Sequence, residues 1–584
     1  MKNTFKHILF ALGACLCLTG CEDWLDIKPV DKLTPDNYFR TEEELELYSN
    51  RFYNNVLPGG TAIYKETGDN LIWTPLDDEI SGQRVVPETG GGYTFTALRQ
   101  INFFLEHLGN CDDKRAVMKY RGIALFFRAY FYFEKVKRFG DVPWIDHVPA
   151  SDDAILYKPR DSREVVMSHV MQDLDSALVC LEKTKSKKEV YRVHWWTVQA
   201  LKSRAGLFEG TYRKYRGLEG ADKYLEASVE ASECFITGGY SLYDDYRQMF
   251  VSPNACKEYI LARNYVGGSV DLNNGVYNTF NSAGQGRAGF VRKFINTYLM
   301  SDGRRFTDPS VNPTWSTMEF KDEIKNRDGR LAMTIRIGNG LNYNCCLTGY
   351  QPKKYIHDEY FSSTEHAYND LPLFRLGEIY LNYAEAKAEL GVLTQEDLDA
   401  SINKLRSRAG FAETAYLKMD DANANPDPYL CAAETGYGYL GSLNIPNKGV
   451  ILEIRRERNI ELVQESQQRY YDLMRWKEGQ CIDQDFEGIY IPADKLNKAY
   501  DVDGDGNDDI CVYEGERPDV SVPVYIQIGD AITLNGPSGK SGNLVFFKAL
   551  KAMSKWNEER DYLFPIPNED IVLTGGAVKQ NPGW

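Results

Sequence analysis

The sequence is poor in histidine, the commonest general base and zinc ligand. Seven histidines occur in 584 residues, and none stands in an H-E-x-x-H arrangement. That excludes a helix-borne zinc protease site. There is no G-x-S-x-G elbow and no G-x-x-x-x-G-K-[ST] loop, so neither an α/β-hydrolase nucleophile nor a phosphate cradle is encoded. No C-x-x-C pair or Cys/His metal spacing is present. Positive charge is also short: 68 Lys and Arg face 84 Asp and Glu, for a net charge of −16. Nucleic-acid binding needs clustered positive charge, so nucleic acid is not an expected partner. The apolar run Ile8–Leu18 falls short of the about 20 residues that span a bilayer as a helix.

That run has another reading. Lys2 and Lys6 precede it and Leu18-Thr19-Gly20-Cys21 follows it, which is the layout of a secretory signal. The L-T-G-C tetrapeptide resembles the lipobox of bacterial lipoproteins. The resemblance implies that residues 1–20 are a signal peptide and that Cys21 receives a diacylglycerol and an N-acyl chain. Several acyl chains on one residue exceed the two signals that stable anchoring needs, so the mature chain is tethered to a membrane by its first residue. Glu22, Asp23 and Asp26 resemble the acidic export signal of surface lipoproteins in Bacteroidota.

Tyrosine is abundant, at 38 residues. Its ring packs helices, and it also offers a face to sugar C–H groups and a polar handle. Of the 12 cysteines, Cys15 and Cys17 leave with the signal and Cys21 is the anchor. The odd remainder cannot pair fully within one chain, and Cys345 and Cys346 are adjacent. Dispersed, mostly buried thiols are expected.

Apolar spacing predicts a mostly α chain. Thr41-Glu-Glu-Glu44 resembles a capping box ahead of Leu45, Leu47, Tyr48 and Phe52. Helices are expected over 95–109, 114–140, 162–183, 192–215, 221–237, 373–391, 394–410 and 449–479. Successive pairs resemble tetratricopeptide-type hairpins, and Ala384, Ala386 and Ala388 allow close helix approach. In the last segment Glu465–Arg469 and Arg458–Glu461 are expected to pair along one helix. Glu457 and Glu461 repel, so at least one needs a partner elsewhere. The expected organisation of 21–584 is one domain. Its helical scaffold covers about 41–240 and 370–480, and irregular, loop-rich segments cover about 241–369 and 481–584. Long irregular segments are uncommon unless functional.

Six motifs in order resemble the SusD/RagB family of surface nutrient-binding lipoproteins. They are FFRAYFYFEKVKRFGDVPWI, FINTYLMSDGRRF, KNRDGRLAMTI, LPLFRLGEIYLNYAEAKAELG, RRERNIELVQESQQRYYDLMRW and YLFPIPNEDIVLTGGAVKQNPGW. Two depart from the family pattern: Gly329 stands where Pro is usual, and Ser466 with one extra residue precedes Arg469. The resemblance implies a SusD-like fold of helical hairpins with large loop insertions. It implies no catalysis, and an oligosaccharide ligand bound by loop aromatics. It also implies an outer-membrane location facing the exterior, and delivery to a TonB-dependent, SusC-like transporter that the protein covers as a lid. Two other binding readings are a lid with little selectivity of its own and a peptide binder; a surface glycoside hydrolase would need only two suitably spaced carboxylates.

Position along the chain nominates the ligand contacts: Trp73 with Asp77 and Asp78 in the first loop, and Trp315, Tyr343 and Tyr350 in the long irregular segment. In DVDGDGNDD, Asp501, Asp503, Asp505 and Asp509 follow the first nine positions of a calcium loop. Val512 stands where the bidentate Glu belongs. A Gly/Asp hairpin turn accounts for the same residues without metal.

Overall fold

The computed structural model describes residues 38–181, 189–252, 256–266, 273–338, 342–357, 367–553 and 555–584. The signal segment and Cys21 lie outside the described residues. The chain is mostly α-helical. Its principal helices are α1 (Glu42–Asn55), α2 (Thr96–His107), α3 (Lys114–Phe139), α4 (Arg163–Cys180), α5 (Trp195–Lys214), α6 (Ala221–Ile236), α7 (Leu376–Leu390), α8 (Lys448–Glu461) and α9 (Gln468–Trp476). Among the described residues no helix is long and apolar enough to cross a membrane.

The local signals act as their chemistry dictates. The Thr41 hydroxyl accepts the Glu44 N–H, and the Glu44 carboxylate accepts the Thr41 N–H, completing the capping box of α1. Leu45 and Phe52 turn inward, but Leu47 is 68% exposed. α3 stops at Gly140, whose φ of 72° suits a residue without Cβ. α5 lies against α6 at Gly206 and Gly210, where an added Cβ would come within 2.6 Å of Tyr224 O and of Leu225 Cγ. Ala386 of α7 closes the same cluster with Leu207 and Leu225, the close approach that its small side chain permits. Cys111, Cys256, Cys345, Cys346, Cys481 and Cys511 are buried free thiols.

Three expected helices are revised. Leu371–Arg375 is a strand paired antiparallel with Tyr259–Arg263, so that helix begins at Leu376. The 394–410 segment breaks at Ser401 into Gln395–Ala400 and Ile402–Arg408. The 449–479 helix is broken between α8 and α9, where Gln464, Ser466 and Gln467 adopt φ of 61°, 55° and 56°. The cause is competition for backbone donors. Ser466 N–H goes to Ile63 O (2.6 Å) and Gln464 N–H to the Glu66 carboxylate (2.6 Å), both on the segment that crosses beside this break. Burial pushes the Glu66 carboxyl up to about 7.

The break redirects the ion pairs. Glu465 binds Arg375 (2.7 Å) rather than Arg469, and Arg469 binds Asp69 (2.6 Å). Arg458 binds Asp472 (2.7 Å) rather than Glu461. Glu457 and Glu461 both reach Arg330, at 2.9 and 3.1 Å. Arg375 also holds Glu258 (2.9 Å) and Glu461 (2.8 Å). Burial alone would raise these carboxyls. Arg330 and Arg406 outweigh it at Glu457, and Arg408, Arg375 and Arg330 at Glu461, holding both below the usual carboxylate range. A depressed folded pKa gives stability that is full above the unfolded value, about 4.3 for Glu, and lost as pH falls further. The urea midpoint is therefore expected to fall steeply below about pH 4. A midpoint unchanged down to about pH 2 would contradict this assignment.

The irregular segments carry small sheets. Phe486–Ile491, Gly542–Phe546 and Ile532–Leu534 form one antiparallel sheet in the order 486–546–532 by first or last residue of each strand. Ile510–Glu514 pairs antiparallel with Ala499–Tyr500 and parallel with Val524–Ile528.

Candidate functional site

The irregular segments meet in a cleft of about 630 Å³. Trp315, Tyr429 and Tyr490 line it together with Lys293, Asn296, Gln484, Glu487, Asn535 and Asn543. The Trp315 and Tyr429 rings stand edge to face, with centroids 5.8 Å apart and planes at 88°. Trp315 is half-buried on a single 3₁₀ turn, and a lone turn has little rigidity of its own. Arg292 supplies it. This fully buried guanidinium donates to Trp315 O (3.1 Å), to Met318 O (3.0 Å) and to Asn543 Oδ1. Glu323 neutralises it at 3.0 Å and accepts the Tyr350 hydroxyl at 2.7 Å. The chain Tyr350–Glu323–Arg292 thus fixes Trp315 from behind.

The polar wall is ordered in the same manner. Glu487 accepts the amides of Asn535 (2.6 Å) and Asn543 (2.7 Å), and Asn535 Oδ1 accepts the Asn543 N–H (2.8 Å). Burial raises the Glu487 carboxyl. Two amide oxygens on cleft residues, Asn296 Oδ1 and Gln484 Oε1, are buried with no hydrogen-bond partner among the described residues, and Lys293 Nζ, which also makes no hydrogen bond, lies 3.6 Å from Asp69. Buried polar atoms are otherwise nearly always satisfied. One ammonium, one amide oxygen of each kind and a ring face are the groups that a polyhydroxylated ligand can engage.

Of the six residues nominated from the sequence, Trp315 lines this cleft. Trp73 is 6% exposed; its Nε1 donates to Glu66 O (3.2 Å) and its ring lies 5.6 Å from that of Phe280. Tyr350 is buried behind Trp315, and Tyr343 is buried with its hydroxyl pushed well above the usual range by desolvation. Asp77 is held by Lys65 (2.8 Å) and Thr67 (3.0 Å), and Asp78 is exposed. Tyr429, Tyr490 and the amides were not nominated. Asn296 lies on the helix before Trp315 and the others lie more than a hundred residues beyond it, and no spacing rule connects them to it.

In the 501–509 loop, carboxylate oxygens of Asp501, Asp503 and Asp509 lie within 4.8 Å of one another, and Asp505 is not among them. Asp501 accepts the N–H groups of Gly504 (2.7 Å) and Gly506 (3.0 Å), and Asp509 accepts that of Val502 (2.8 Å). The loop joins two antiparallel strands, and Val512 is buried in the second of them.

Comparison with known proteins agrees with the motifs. The SusD family pattern matches residues 339–584, and a family described as starch-binding, associating with the outer membrane, matches 23–207. The starch-binding protein SusD of Bacteroides thetaiotaomicron is 24% identical over 70% of this chain and 85% of its own length. SusD-like protein P2 of Formosa agariphila is 21% identical over 99% of this chain and 100% of its own. A SusD-like protein of Bacteroides fragilis shares the fold with a TM-score of 0.67, at 22% identity, over 95% of this chain and 100% of that one. The chain belongs to the SusD/RagB family.

Proposed function

We propose that this protein is a non-catalytic, lipid-anchored surface protein that binds an oligosaccharide in the Trp315 cleft. It passes that ligand to a SusC-like, TonB-dependent transporter in the outer membrane. The observation that carries the binding role is the Trp315 ring beside two unpartnered amide oxygens, Asn296 Oδ1 and Gln484 Oε1, and the Lys293 ammonium. An aromatic face takes the sugar ring, and the amides and ammonium take its hydroxyls. Residues 21–584 act as one domain in this reading, supported by a hydrophobic cluster that runs from Phe39 to Val578. The names of the relatives support carbohydrate as the ligand class.

A glycan-array screen followed by calorimetry tests the reading. Trp315→Ala is expected to weaken the selected glycan by about tenfold or more, as for a truncated aromatic anchor, with the fold retained. Trp73→Ala is expected to act on stability instead, by about 3–5 kcal/mol, because it empties a core position. Unchanged affinity in Trp315→Ala would remove the cleft from the binding site. Release of reducing sugar from the bound glycan would favour a hydrolase. Delivery has its own test: mild detergent extraction of the tagged chain should recover a large barrel protein in near-equal amount. Recovery of the chain alone, from membranes that contain the barrel, would favour a free-standing binder.

A further inference from the structure

We propose that the cavity enclosed by α3, α5 and the break between α8 and α9 is a second ligand site, built for a small organic acid. It shares no lining residue with the Trp315 cleft, so it stands independently of the glycan reading. Its volume of about 360 Å³ is within the range of small-molecule sites.

Charge sets this cavity apart. Six cations line the cavity, and four are paired: Arg204 with Glu378 (2.6 Å), Arg458 with Asp472 (2.7 Å), Arg475 with Glu385 (2.5 Å) and Lys137 with Glu134 (2.7 Å). Lys135 and Arg138 remain. Among the described residues neither has a carboxylate within 4 Å of its cationic nitrogens. Lys135 is 9% exposed and its ammonium donates to the Gly92 carbonyl. The Arg138 guanidinium lies 3.9 Å from the Phe564 ring centroid, and its Nε is buried with no hydrogen-bond partner. The two are three residues apart on α3, so they share one face of that helix. Burial, and then the charge of Arg138, bring the Lys135 ammonium down to about 8. Buried charges are otherwise paired, as the other four cations here are.

The lining from the α8–α9 break carries a second irregularity. Ser466 and Gln467 line the cavity in left-handed conformations, and Ser466 Oγ is buried without a partner. Backbone held in such a region, outside glycine, concentrates at ligand sites. Two cations, a free hydroxyl and the rings of Tyr130 and Tyr471 suit a carboxylate on a compact, partly apolar body.

Calorimetry on the full chain in detergent tests this with glucuronate, with glucose and inorganic phosphate as comparisons. Glucuronate is expected to bind and glucose not to compete with it. Lys135→Met and Arg138→Gln should each weaken glucuronate by about tenfold or more, the value of a charge-assisted hydrogen bond. Arg138→Lys should retain most of the affinity. On the unaltered chain, added salt should weaken glucuronate binding, which keeps the test decisive if a variant fails to fold. The proposal is overturned if glucuronate does not bind, if its affinity ignores salt, or if the Lys135→Met chain binds it equally well. Binding of phosphate without glucuronate would overturn the organic-acid assignment.

Discussion

Arg375→Met is expected to destabilise the protein by about 3–5 kcal/mol, the usual effect of removing one partner from a buried ion network. A typical folded state has only about 5–15 kcal/mol in hand, so much of the chain would be recovered unfolded. The reason lies in what the guanidinium holds. It is 1% exposed and donates to Glu465 (2.7 and 2.8 Å), Glu258 (2.9 Å), Glu461 Oε1 (2.8 Å) and the Glu461 carbonyl (2.8 Å). Methionine fills the volume but leaves three buried carboxylates short of countercharge. Arg330, Arg408 and Lys354 still face some of them, which keeps the cost finite. Arg375→Lys should fall between, since an ammonium keeps the charge and cannot reproduce the planar fork. The contrast is Lys119→Ala. That lysine pairs with Glu42 at 3.0 Å, with side chains 52% and 49% exposed, and its loss should cost at most about 1 kcal/mol. Denaturant midpoints of the three variants measure the order. Equal effects at Arg375 and Lys119 would show that burial does not set the worth of these pairs.

Cys21→Ala should abolish membrane attachment. Each buried acyl methylene contributes about 0.8 kcal/mol to partitioning, and stable anchoring takes two chains. Without the thiol no diacylglycerol is added and the signal stays uncut, or the chain appears soluble. Cys21 is not among the residues that line the Trp315 cleft, so glycan affinity should be unchanged. Fractionation of cells with an antibody to the chain gives the result. Full recovery of the variant in the outer membrane would end the lipoprotein assignment.

Short-range chemistry was legible in the sequence because its partners are neighbours in the chain. Thr41 and Glu44 close their capping box with no outside help, Gly140 and Gly391 stop α3 and α7, and the Gly/Asp turn at 501–509 joins two antiparallel strands. Family motifs carried the fold class, since they recur in order. Even Glu457 and Glu461 announced, by their repulsion, that a partner had to come from elsewhere. Which partner came was a matter of the tertiary structure alone. Arg330 and Arg375 reach them from more than 80 residues away, and the α8–α9 break exists because Ile63 and Glu66 compete for its N–H groups. The candidate site follows the same rule. Trp73 and Trp315 look alike as loop tryptophans, yet one is enclosed by Phe280 and Glu66 and the other is held at a cleft by Arg292. Sequence by itself determined that the chain is acidic, mostly helical and carries aromatic loops. Only folding decided which aromatics meet Tyr429, Tyr490 and the unpartnered amide oxygens of Asn296 and Gln484, because those contacts join segments that no local hydrogen bond or helical spacing connects.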